Sequence, residues 1–118
     1  MKYLITDDSR MARKMMIKSI IEIIGDTDEI IEATNGEEAL KMYKEYKPNI
    51  CFMDLTMPVM DGFTATSKIC EHDKDAKIII VSADIQDGSM KKASDNGAIG
   101  FIKKPINSEN LKTIKNIV

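Results

Sequence analysis

The chain has 118 residues, enough for one domain around one core. Seventeen Lys and Arg against nineteen Asp and Glu leave a formal charge of −2, and aromatics make up 5% with no Trp. That balance excludes a chain that works by gripping phosphate backbones through bulk positive charge or by stacking on bases, so no nucleic-acid partner is expected.

With 43% hydrophobic and 31% charged residues, the composition is that of a folded globular protein. The longest unbroken apolar runs are four residues, Ile50 to Met53 and Ile78 to Val81, far short of a bilayer span. Asp7 and Asp8 interrupt the N-terminal apolar stretch where a signal peptide would tolerate no acid. A cytoplasmic protein with no membrane contact and with Cys51 and Cys70 as reduced thiols is the expectation.

In chain order, short β-type runs alternate with helical patterns. Lys2 to Thr6 reads as a strand, and Ser9 caps a helix to about Ile24, with Ala12, Met15, Met16, Ser19, Ile20 and Ile23 on its inward stripe. Gly25 stops it. Glu29 to Ala33 is a second strand. Asn35-Gly36-Glu37-Glu38 resembles a capping box for a helix through about Tyr46, which turns Ala39, Leu40 and Tyr43 inward. Lys47-Pro48 ends that helix, and the segment Asn49 to Met53, with its continuous apolar run, predicts a fully buried central strand.

A loop with Pro58 and an Asp61-Gly62 turn leads to a third helix, Phe63 to about His72. Lys77 to Ser82 is a fourth strand, and Asp87 to about Asn96 a fourth helix ended by Gly97. Gly100 to Lys103 is a fifth strand, and Ser108 caps a last helix to the C-terminus. The nine methionines follow helical stripes or strand interiors and read as core filler. Five β-α units predict the α/β class: an open, doubly wound, five-stranded parallel sheet with helices on both faces.

In such a sheet the ligand site lies beyond the carboxyl ends of the strands. Asp7 and Asp8 follow the first strand, Asp54 the third, Ser82 ends the fourth and Lys104 follows the fifth. Clustered carboxylates repel one another unless a cation intervenes, and an all-oxygen acidic site suits Mg²⁺. A lysine and a hydroxyl facing it would engage phosphoryl oxygens, and a carboxylate can itself accept a phosphoryl group. No glycine-rich loop is present to cradle ATP or a dinucleotide, so the phosphoryl group comes from another molecule. With one histidine, His72, set among acids at a helix end, phosphohistidine chemistry within the chain is not expected.

The set Asp7-Asp8-Ser9, Asp54-Leu55-Thr56-Met57-Pro58-Val59-Met60-Asp61-Gly62, Ser82-Ala83 and Phe101-Ile102-Lys103-Lys104-Pro105 resembles the receiver domain of two-component response regulators, across residues 1–118. The resemblance implies one receiver domain of flavodoxin-like fold with strand order 2-1-3-4-5. It implies Asp54 as phosphoacceptor, with Mg²⁺ held by Asp7, Asp8, Asp54 and the backbone carbonyl of Thr56. Ser82 and Lys104 would engage the phosphoryl group, and Ser82 and Phe101 would act as the switch. The Lys104-Pro105 bond is expected to be cis, as the family usually has it. Phe101, unlike a tyrosine, brings no hydroxyl to that switch. By the same resemblance, the side chains at Thr56 and Asp84, two residues beyond Asp54 and Ser82, would tune dephosphorylation.

The partners implied are a histidine kinase as donor and an output protein bound on the face of the fourth helix, fifth strand and fifth helix. The chain ends at its fifth helix without a basic helix-turn-helix, so the expectation is a monomeric, single-domain response regulator of the chemotaxis type, acting on a flagellar motor switch protein. Such a protein is a signalling phosphoacceptor rather than an enzyme, with only self-phosphorylation and autodephosphorylation. The alternatives are a phosphorelay intermediate, an excised receiver, or a Mg²⁺-dependent phosphohydrolase with an aspartate nucleophile. The last usually carries a second Asp where Thr56 stands. A flavin binder would want a Ser/Thr/Gly-rich loop where Asp7-Asp8-Ser9-Arg10 lies.

Overall fold

The two apolar tetrads become strands at the middle of the sheet in the computed structural model, which describes residues 2–24, 29–83 and 86–104. β1 (Lys2–Thr6) is followed by α1 (Arg10–Ile24), β2 (Glu29–Ala33) and α2 (Gly36–Tyr46). Next come β3 (Ile50–Met53), α3 (Gly62–His72), β4 (Ile78–Ser82), α4 (Asp87–Asp95) and β5 (Gly100–Lys103). The expected fifth helix, its Ser108 cap, Pro105, Gly25 and Asp84 lie outside the described residues.

All pairings are parallel and the strand order is β2-β1-β3-β4-β5. Burial follows position in the sheet. Every residue of β3 and β4 is buried, because each strand has a neighbour on both edges and helices over both faces, whereas β2 and β5 at the sheet edges are only partly covered. Alternation along the strands sorts the apolar side chains into two cores. Tyr3, Ile5, Phe52, Ile79 and Val81 meet Met16 and Ile20 of α1 on one face. Leu4, Cys51, Met53, Ile78 and Ile80 meet Ala39 and Tyr43 of α2, Ala65 and Ile69 of α3 and Ala93 of α4 on the other.

Caps begin α1 and α2 where the sequence places them. The Ser9 hydroxyl accepts the Ala12 amide (3.2 Å), and the Asn35 side chain accepts the Glu38 amide (2.8 Å). The Glu38 carboxylate returns one residue earlier than in a capping box, to the Thr34 amide and hydroxyl. Lys47 closes α2 in the left-handed region (φ 48°), its amide donating to the Tyr43 carbonyl. Asp61, read from the sequence as a turn residue, is the N-cap of α3 and accepts the Thr64 amide at 2.8 Å.

The methionine reading needs correction on α1. Met16 is buried, but Met15 is 52% exposed and Met11 more so. Four-residue spacing carries the buried line through Met16 and Ile20, and Met15 lies about 100° behind it on the solvent side. Cys51 and Cys70 are free thiols, and burial pushes Cys51 up to about 12. No helix among the described residues is long and apolar enough to cross a membrane.

Candidate functional site

Parallel register determines which strand ends become neighbours. Thr6 pairs with Met53, and the Asp54 amide continues the ladder to the Thr6 carbonyl (3.0 Å), so Asp7 and Asp54 leave adjacent strands side by side. Ser82 pairs with Lys103, and the Lys104 amide donates to the Ser82 carbonyl at 2.9 Å. Asp7 is held to the end of β2 by its amide bond to the Ala33 carbonyl (3.1 Å).

Asp7, Asp8 and Asp54 each offer a carboxylate oxygen, and the three lie within 4.8 Å of one another. Asp7 is 1% and Asp54 8% exposed, while Asp8 is open to solvent. Lys104 Nζ donates to Asp7 Oδ2 at 2.5 Å and lies 3.7 Å from Asp54 Oδ1. One ammonium against three carboxylates leaves the cluster strongly negative. Burial, then the Asp7 charge, raise Asp54 to about 6, although Lys104 and the Leu55 amide (2.9 Å to Asp54 Oδ1) pull the other way. Hard oxygen donors with uncompensated negative charge fit a divalent cation.

Of the residues singled out in the sequence, Asp7, Asp8, Asp54 and Lys104 converge directly. Ser82 is buried at the end of β4, on the same rim. Thr56 is exposed in the loop beyond Asp54. Phe101 is half-buried against the core beneath α2, α3 and α4. Arg13 of α1 was not among the residues singled out in the sequence. Its Nη1 donates to the Asp7 carbonyl (2.8 Å) and its Nε to Glu32 Oε1 (3.0 Å). Its place near the start of the helix that follows the acids was the available signal.

The loop from Asp54 to α3 is drawn tight. The Gly62 amide donates to the Leu55 carbonyl and the Gly36 amide to the Met60 carbonyl, both at 2.9 Å. Between them, Val59 takes φ 69° in a three-residue turn closed by the Met60 amide on the Pro58 carbonyl (2.7 Å). A β-branched residue there is strained, and at 75% exposure Val59 recovers little by burial. Val59→Asn is therefore expected to stabilise the protein by about 1 kcal/mol, read as a higher urea midpoint at unchanged slope. A lower midpoint would show that the valine packs usefully.

The sequence model of the response regulator receiver domain matches residues 3–116. The chemotaxis protein CheY of Thermotoga maritima is 46% identical over 104 residues, 88% of this chain and 85% of that protein. CheY of Halobacterium salinarum is 44% identical over 102 residues, 86% and 82% of the two chains. Among solved structures, the CheX-CheY-BeF3-Mg complex of Borrelia burgdorferi superposes with a TM-score of 0.85 at 33% identity, covering 98% of this chain and 85% of that one. Vibrio cholerae CheY4 gives a TM-score of 0.88 at 27% identity, covering 99% and 98%. Fold, strand-end chemistry and similarity agree, and the chain belongs to the response regulator receiver domain family.

Proposed function

We propose that this protein is a chemotaxis-type response regulator in which Asp54 accepts a phosphoryl group from the phosphohistidine of a kinase. The observation that carries the reading is the convergence of Asp7, Asp8 and Asp54 within 4.8 Å, with the Lys104 ammonium against two of them. Similarity to chemotaxis proteins over most of the chain supports the signalling class.

An Asp54 carboxylate oxygen attacks phosphorus, the phosphorus–nitrogen bond to the donor breaks, and the leaving imidazole takes up a proton. Asp7, Asp8, Asp54 and the Thr56 carbonyl would hold Mg²⁺, which when bound supplies charge neutralisation for the phosphoryl oxygens. Lys104 moves from the Asp7 carboxylate toward the phosphoryl oxygens and provides a second positive point. Ser82 donates a hydrogen bond to another oxygen, drawing the ends of β4 and β5 inward. Phe101 then packs deeper and reshapes the α4–β5 surface that an output protein, such as a flagellar motor switch protein, selects. The chain works as a signalling phosphoacceptor, a single receiver domain acting as a monomer in the cytoplasm.

Incubation with acetyl phosphate and Mg²⁺ is expected to add one phosphoryl group, detected by intact mass. Asp54→Asn abolishes the addition, and EDTA abolishes it in the wild type. Stoichiometric addition that persists in Asp54→Asn overturns the assignment.

A further inference from the structure

Every polar group of Asp7 is engaged. Its amide donates to Ala33, its Oδ1 accepts the Ser9 amide (2.9 Å), its Oδ2 accepts Lys104, and its carbonyl accepts Arg13. That carbonyl lies just past the end of β1, and it is one half of the peptide unit whose other half is the Asp8 amide. Rotation of this unit would swing the Asp8 carboxylate relative to Asp7. The Arg13 side chain is only 12% exposed and spans from this buried carbonyl to Glu32 on β2, using two edges of its guanidinium plane. A planar fork with two acceptors at set angles constrains orientation in a way a point charge cannot.

We propose that Arg13 is a positioning residue for the acidic pair: anchored by Glu32, it holds the Asp7–Asp8 peptide unit so that both carboxylates face Asp54, and thereby raises the affinity for a divalent cation. The inference rests on the cation site proposed above. It makes a prediction of opposite sign to simple electrostatics. A guanidinium beside a cation site repels the cation, so if Arg13 acted only through its charge, removing it would tighten binding. As an orienting partner its loss weakens binding, as for other groups that orient metal ligands.

The test is calorimetric titration of MgCl2 into wild type, Arg13→Lys and Arg13→Met, with urea unfolding in EDTA to verify the fold and the Asp8 amide resonance as a local probe. Both variants are expected to bind Mg²⁺ about tenfold more weakly, with Asp8 shifted before any metal is added. Weakening in Arg13→Lys, which keeps the charge, separates orientation from field. Unchanged affinity in Arg13→Lys, or tighter binding in Arg13→Met, overturns the proposal while leaving the site intact. A wild type that binds no Mg²⁺ overturns the site and the proposal together. Should both Arg13 variants fail to fold, Glu32→Gln carries the test: weaker binding supports the anchor, and unchanged affinity overturns it.

Discussion

Asp54→Asn stabilises the metal-free protein by about 3 kcal/mol near pH 7 and by almost nothing below about pH 4. Folding raises the Asp54 carboxyl from 3.8 to about 6, chiefly by burial and then by the charge of Asp7. Between those two values the native state holds a proton that the unfolded chain has released. Stability therefore falls as pH rises through this window, and the loss is complete above about pH 6. A shift of about two units at about 1.4 kcal/mol each gives the size of the effect. Asparagine has the shape of the protonated acid without its ionisation, so it escapes the penalty at neutral pH and matches the wild type in acid. Urea unfolding of both proteins in EDTA, from about pH 4 to about pH 8, measures the difference directly. Millimolar Mg²⁺ should narrow the gap at neutral pH, because a ligand that binds the native carboxylates stabilises the wild type selectively. A gap of equal size at both ends of the range would trace it to packing, not ionisation.

Gly62→Ala is expected to cost about 3 kcal/mol and to disturb Asp54 as well. A Cβ at Gly62 would sit 2.0 Å from the Asp54 carbonyl oxygen and 2.9 Å from the Asp54 carbonyl carbon and Leu55 Cα. These are backbone atoms, held by the β3 ladder on one side and by the Gly62 amide bond to Leu55 on the other, so no side chain can rotate away. Relief requires the N-terminus of α3 to retreat from the loop, which pulls on Asp54, the proposed acceptor. Gly88→Ala is the control. Nothing lies within 4 Å of its added methyl, and in the first turn of α4 alanine should leave stability unchanged or slightly raised. Urea midpoints of the two variants give the comparison, and Gly62→Ala should also slow labelling by acetyl phosphate. A Gly62→Ala protein as stable as the wild type would mean that α3 does not bear on Asp54.

The strands, and the helices within the described residues, were readable because their causes are local. Apolar runs as long as Ile78 to Val81 need burial on both faces, and Ser9 and Asn35 satisfy amides only three residues away. Convergence of Asp7, Asp8, Asp54 and Lys104 was also readable, since in a parallel sheet all carboxyl ends share one rim. The strand order came from family resemblance, not from any pattern in the residues. Only the folded chain decided that the Lys104 ammonium lies closer to Asp7 than to Asp54, that Arg13 turns to the Asp7 carbonyl, and that Met15 faces outward. Gly62 could not be recognised beforehand as the point where a helix touches the backbone of Asp54. Each of these contacts joins groups far apart in the chain or depends on the seating of a helix, as with Asp7 and Lys104, which are 97 positions apart. Their geometry follows from sheet register, strand twist and the depth at which each helix settles, and local propensity encodes none of these.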